Sequence, residues 1–214
     1  MNLLKIYQKL YKKYGTQGWW PILELKSGKW VSVYKKRKKL TEAEMFEIAC
    51  GAILTQNTSW RNVETCLANL KRSRLLSPVK IARLLKPKLC KLIRPSGYFN
   101  QKAKKLMAYS LWLMANYNGK MKKFFKKPLG ECRKELLSIW GIGPETADSI
   151  LLYAGSKPIF VIDAYTRRLC KKYGVEFNIY DQYREYFEKR LPKSARLFNE
   201  FHALIVREGK GKGY

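Results

Sequence analysis

The segment Leu136-Leu137-Ser138-Ile139-Trp140-Gly141-Ile142-Gly143-Pro144-Glu145-Thr146-Ala147-Asp148-Ser149-Ile150-Leu151 constrains the fold more than any other part of the chain. Apolar residues at helical spacing run to Ile139, two glycines interrupt them, and helical spacing resumes after Pro144. Gly141 and Gly143 permit a tight turn whose backbone N–H groups stand free, and Pro144 suits the first position of a second helix. The segment therefore predicts helix, hairpin, helix. Free amides at a helix N-terminus can hold an anion such as a phosphate without any side chain. An ordinary αα-corner uses glycine in the same way, so the turn alone leaves packing and anion binding both open.

Helical patterning dominates the rest. Thr41-Glu42-Ala43-Glu44 reads as a capping box that opens a helix through Met45, Ile48, Ala49, Ala52 and Ile53. Residues 59–70, 79–85, 100–117 and 132–139 carry apolar residues at helical spacing, and residues 180–190 and 196–208 supply the last helices. The exception is residues 22–34, where apolar residues alternate around Ser27-Gly28 and predict a small β-hairpin inserted in an all-α chain. The tail from Gly209 is too glycine-rich to continue the final helix and is expected to be flexible. With 214 residues, 46% of them hydrophobic, the chain can bury the core of one sizeable domain or two small interlocked ones.

Charge narrows the function. Forty-four Lys and Arg against 16 Asp and Glu leave a net charge of +28, far beyond what solubility requires, which predicts a polyanionic partner. Hyperthermophile surfaces add Lys and Glu together, whereas here the positive charge is uncompensated, as on a surface that displaces counterions from phosphates. The run Lys35-Lys36-Arg37-Lys38-Lys39 reads as a solvated face or a phosphate contact. No stretch approaches the ~20 apolar residues of a membrane span, and neither a signal peptide nor a membrane partner is expected. Cys50, Cys66, Cys90, Cys132 and Cys170 form no CxxC pair, so we expect reduced core thiols, no metal site and a cytoplasmic location. His202 is the only histidine, which leaves little room for imidazole general-base chemistry, and it is expected to pack in the last helix.

Beyond the hairpin, Phe160-Val161-Ile162-Asp163-Ala164-Tyr165-Thr166-Arg167-Arg168 is an apolar run that ends in a carboxylate followed by basic residues. Asp163 could cap a helix beginning near Ala164, a role compatible with catalysis. The pairing of this run with Gly141-Ile142-Gly143-Pro144-Glu145-Thr146-Ala147-Asp148 resembles the helix-hairpin-helix and Gly/Pro-Asp signature of the endonuclease III superfamily of DNA glycosylases. The resemblance spans approximately residues 41 to 208. It includes residues 46–58, similar to the family's early helix ending in a glutamine, and residues 93–103, similar to its glycine turn and basic helix.

The resemblance implies a two-lobed all-α fold. Residues 41–156 would form a helical lobe carrying the hairpin, and residues 1–40 with 157–214 a second lobe carrying the catalytic Asp163. It places double-stranded DNA with a damaged base at the hairpin residues Trp140, Gly141, Ile142, Gly143 and Thr146. Arg94, Asn100, Lys102 and Lys104 would contact the same duplex, and Gln56 would fill the space of a flipped base. Glycosylase-lyases of the family carry a lysine nucleophile where this chain has Glu145. A carboxylate cannot form a Schiff base, so a monofunctional enzyme is implied. The chain ends about where the four-cysteine loop of endonuclease III would begin, so no iron–sulfur cluster is expected. No other cofactor is expected either, although the resemblance allows a cation on the hairpin carbonyls, and a monomer is expected.

Trp19-Trp20-Pro21, Leu54-Thr55-Gln56-Asn57-Thr58, Arg94-Pro95-Ser96-Gly97-Tyr98 and Phe201-His202 are most similar to the 3-methyladenine glycosylases described as the third type. That group sandwiches an alkylated base between aromatic rings, at positions matching Trp20 and Phe46, with a pocket lysine matching Lys210. A second lysine of the group falls on Leu204, a departure that bears on substrate. An N-alkylated purine suits aromatic walls, because its positive charge strengthens stacking and already weakens the glycosidic bond. Removal of uracil, thymine or an oxidised base, and a non-catalytic DNA-binding role, are the alternatives.

Overall fold

The computed structural model describes residues 1–34 and 39–211. Lys35, Lys36, Arg37 and Lys38 of the basic run, and Lys212 to Tyr214 of the tail, lie outside the described residues. Among the described residues the regular structure is twelve α-helices, a 3-10 turn, a π-helical turn and one two-stranded sheet, and no helix among them is long and apolar enough to cross a membrane.

Helix α2 (Glu42–Leu54) is the central element. Thr41 Oγ1 accepts from the Glu44 amide at 3.2 Å, and the Glu44 carboxylate accepts from the Thr41 amide at 2.8 Å, which completes the expected capping box. Every residue from Phe46 to Leu54 is buried, because α2 is apolar on nearly all sides and packs on α3 (Trp60–Arg72), α6 (Phe99–Tyr117) and α7 (Met121–Phe124). Between α3 and α6 run the short helices α4 (Pro78–Arg83) and α5 (Lys86–Ile93). Helix α6 starts at Phe99, with Tyr98 in the capping position, so Asn100 falls inside its first turn.

The hairpin pairs β1 (Ile22–Lys26) with β2 (Lys29–Val33), Ile22 opposite Val33, and turns through Ser27 and Gly28, both at positive φ. It is built into the body of the fold. The Leu23 amide donates to the buried Glu47 carboxylate at 2.7 Å, and Lys71 of α3 closes the arrangement at 2.5 Å from Glu47. Ser32 donates its amide to Glu64, also on α3, at 2.8 Å.

Helices α8 (Leu129–Ser138) and α9 (Pro144–Ser149) are the two arms around Gly141, and α9 runs on as a π-helical turn, Ile150–Ala154, packed on α2. An extended stretch leads to α10 (Ala164–Lys172) and α11 (Tyr180–Glu188). The last helix, α12 (Ala195–Gly211), packs against α10 and α1 (Leu3–Tyr14). Contrary to the flexible tail expected from Gly209, α12 continues through it. A Cβ there would stand 2.3 Å from Tyr165 Cδ1, so this glycine serves a close helix contact and does not end the helix.

One ion network ties the hairpin to the later helices. Asp148 of α9 is fully buried, and Arg133 of α8 reaches it at 2.8 Å and Asp181 of α11 at 2.7 Å. Burial pushes the Asp148 carboxyl up to about 6 despite the guanidinium beside it. Arg133→Met is expected to cost about 3 kcal/mol in urea unfolding at pH 7.5, because it leaves a buried carboxylate without its partner. A carboxyl whose folded value lies above its unfolded 3.8 contributes stability that is lost as pH rises through about 6. The cost of the substitution should therefore shrink below pH 6, where Asp148 goes neutral; a cost constant from pH 5 to 7.5 would remove Asp148 as its cause.

Candidate active site

Asp163 stands at the end of the extended stretch, as the N-cap of α10, where its Oδ1 accepts from the Thr166 amide at 2.8 Å. Residues 159–162 are buried and in no sheet, so their amides find side chains instead: Phe160 donates to Glu188 at 2.9 Å and Ile162 to the Tyr180 hydroxyl at 3.1 Å. Both bonds come from α11 (Tyr180–Glu188) and fix the approach to Asp163. Its second oxygen, Oδ2, lies 3.5 Å from His202 Nε2 on α12, and His202 Nδ1 lies 2.5 Å from the Tyr153 hydroxyl on the π turn. Burial alone would raise the Asp163 pKa, but the His202 ring and the Thr166 amide outweigh it and hold it below the ordinary carboxylate value, so the group is ionised at neutral pH.

The carboxylate faces a cleft of about 560 Å³, lined also by Trp19, Trp20, Trp60, Glu145, Tyr165 and Lys210. Trp20 packs 5.3 Å from Tyr153 and 5.4 Å from Trp60, centroid to centroid, over Gly51, where a Cβ would come within 3.0 Å of the indole. Glu145, near the start of α9, titrates above its ordinary value, through desolvation and then the charge of Asp163. A larger hollow of about 870 Å³ shares Trp19, Trp20 and Tyr153 with this cleft, but its lining carboxylate, Glu200, is engaged by the Gln17 amide at 2.5 Å. The smaller cleft is the one that contains an ionised acid beside the hairpin.

In the hairpin Gly141 has φ 82°, Ile142 is buried with its amide on Ile139 O at 3.0 Å, and Gly143 caps α9. Trp140 is 47% exposed with Lys104 Nζ 3.9 Å above its ring, which places an aromatic and a cation together on the turn. Thr146 is buried and receives a hydrogen bond from Gln56 Nε2 at 2.8 Å, while Lys105 donates to the Gln56 oxygen. Gln56, expected at the flipped base, thus sits at the cleft already braced by the hairpin helix.

Two expected site residues are placed elsewhere. Phe46 is 1% exposed and stacks on Tyr109 at 6.1 Å, because its face of α2 points into the core; Ala52 of α2, with Thr55 and Gln56 just past its end, lines the cleft. Lys102 is buried, its ammonium bonded to Ser96 O at 2.6 Å, and desolvation lowers it to about 8, so it braces the glycine turn and does not present its charge to a phosphate. Arg94 and Asn100 are exposed in a shallow groove with Lys86 and Lys91, apart from the cleft lining. His202, expected only to pack, proves to be a neighbour of Asp163. Tyr153, Trp60 and Lys105 were missed altogether; the signal of each is its contact across the fold. All five cysteines are free and buried.

The family profile of the HhH-GPD superfamily base excision DNA repair proteins matches residues 50–193. A Methanocaldococcus jannaschii protein with the provisional name of DNA repair glycosylase is 44% identical over 212 residues, 97% of this chain and 87% of that protein. Endonuclease III of Thermotoga maritima is 26% identical over 170 residues, 79% of this chain and 75% of that one. Among solved structures, the H. pylori 3-methyladenine DNA glycosylase bound to 1,N6-ethenoadenine superposes with a TM-score of 0.80 at 31% identity, covering 99% of each chain. A trapped endonuclease III–DNA covalent intermediate gives a TM-score of 0.72 at 16% identity over 100% of this chain and 89% of that one, a likeness of fold.

Proposed function

Because this chain belongs to the HhH-GPD superfamily of base excision DNA repair proteins, we propose that it is a monofunctional DNA glycosylase that hydrolyses the N-glycosidic bond of an N-alkylated purine such as 3-methyladenine. The observation that carries the reading is the ionised Asp163 carboxylate, fixed by a helix N-cap at the wall of an aromatic cleft beside the hairpin.

Hairpin amides and Lys104 hold phosphates beside the lesion, and the damaged nucleotide turns out of the stack at a cost of a few kcal/mol. Gln56 then exchanges its bonds to Thr146 and Lys105 for the space the base has left. The base enters a cleft between the two lobes, residues 41–156 and residues 1–40 with 157–214, and stacks against Trp20. As the bond to the base lengthens, positive charge develops on the deoxyribose, and Asp163 stabilises it and orients the attacking water. An N-alkylated purine, already cationic, leaves as the neutral base without protonation; the water adds its hydroxyl to the sugar C1′ and gives up its proton to solvent, so the products are the free base and an abasic site. Glu145 supplies no amine at the lyase position, and strand cleavage is not part of the reaction.

A second reading, excision of uracil or another damaged base, draws support from the displacement of Phe46 into the core. Without that ring as a facing wall, the cleft offers Gln17, Thr55, Thr58 and Ser59 as directed hydrogen-bonding groups.

The test is base release from duplexes carrying 3-methyladenine, uracil or 8-oxoguanine, with and without alkali. Release of the alkylated purine, with nicks only after alkali, is the expected result; release of uracil in its place selects the second reading, and no release of any base leaves a DNA-binding module. Glu145→Lys adds a sharper arm. It should create a borohydride-trappable covalent complex with abasic DNA that the natural chain lacks, and trapping by the natural chain would end the monofunctional reading.

A further inference from the structure

Both ring nitrogens of His202 face polar groups, and only Nδ1 is close enough for a hydrogen bond. Nδ1 faces the Tyr153 hydroxyl at 2.5 Å, and Nε2 faces Asp163 Oδ2 at 3.5 Å with no other partner among the described residues. Burial pushes the Tyr153 hydroxyl far above its ordinary value, so it keeps its proton and can donate it to Nδ1. A neutral imidazole that accepts at Nδ1 carries its own proton on Nε2, the atom turned to the carboxylate. A buried N–H without an acceptor is costly, and Asp163 is the acceptor within reach.

Resting on the glycosylase reading above, we propose that His202, oriented by Tyr153, is the positioning residue for Asp163: its Nε2, 3.5 Å from Oδ2, is aimed at the carboxylate and fixes its direction into the cleft. The charged and titratable groups around the pair come from several elements. Glu145 on α9 repels Asp163, Glu200 on α12 adds negative charge behind Tyr153, and Arg207 and Lys210 of α12 with Arg167 of α10 add positive charge. All of these persist when His202 alone is changed. With the ring gone, burial acts on Asp163 against the Thr166 amide and the more distant cations, and the carboxylate should hold a proton to higher pH.

Single-turnover excision measured from pH 5 to 8.5 tests this. His202→Phe, which fills the space without a donor, is expected to lose at least about tenfold more activity at pH 5 than at pH 8, the effect of protonating the carboxylate over about one unit. His202→Gln, which keeps an N–H, should recover most of that loss, and Tyr153→Phe should fall between them. Carbon-13 NMR titration of the aspartate carboxyls, with Asp163→Asn for assignment, reads the same coupling without substrate; the Asp163 signal should titrate at higher pH in His202→Phe. A loss equal at every pH with an unmoved Asp163 signal overturns the proposal and leaves His202 a packing residue. A shifted signal in a protein that releases no base from any duplex upholds the coupling while the glycosylase reading fails.

Discussion

Asp163→Asn is expected to lower single-turnover base release by about 10³-fold or more, the scale on which removal of a single aimed electrostatic group acts on a transition state. Folding should survive, because asparagine caps a helix as well as aspartate does, and its Oδ1 can still accept from the Thr166 amide 2.8 Å away. Binding to duplex DNA should be unchanged or tighter, since the substitution removes a negative charge from the protein's contact with phosphates. The contrast between excision and binding is the diagnostic. Release within about tenfold of the natural chain would show that the carboxylate does not carry the electrostatic stabilisation assigned to it.

Gly141→Ala should weaken duplex binding by about ten- to a hundredfold, as expected when about 1–3 kcal/mol of backbone strain enters the turn that grips the phosphate. At φ 82° an L side chain is disfavoured, and the new Cβ would stand 2.5 Å from Lys105 Cγ. Lys105 must then move, and with it the hydrogen bond that steadies Gln56. The defect should appear both in affinity, measured by fluorescence anisotropy, and in excision at subsaturating DNA. Gly130→Ala is the control: this glycine lies in α8 with nothing within 4 Å of its would-be Cβ. It should leave binding intact and add up to about 1 kcal/mol of stability. Equal effects at both glycines would mean that the turn geometry is not what holds DNA.

Much of this architecture could be read locally. The capping box at Thr41, the positive-φ turn at Ser27-Gly28 and the glycine hairpin depend on residues within four positions of one another, so the chain's own chemistry decides them. Periodicity groups residues onto a helix face without saying what that face meets. Phe46 and Ala52 share α2, yet one stacks on Tyr109 in the core and the other lines the cleft. Lys102 and Lys104 are two residues apart and look equally basic. The first is buried on a carbonyl and the second rests on an exposed indole, a difference set by how α6 rolls against the glycine turn. Gly209 would end a helix in isolation, and Tyr165 packing against it keeps the helix going.

By itself, then, the sequence determined the helix-hairpin-helix, the capped Asp163 at the end of its apolar run, and an uncompensated positive charge, since each rests on local backbone preference or on composition. The tertiary structure alone decided which groups surround that carboxylate. Tyr153, Asp163 and His202 come from a π turn, a helix N-cap and the last helix, and only the packing of α12 against α10 and the π turn brings their polar atoms together.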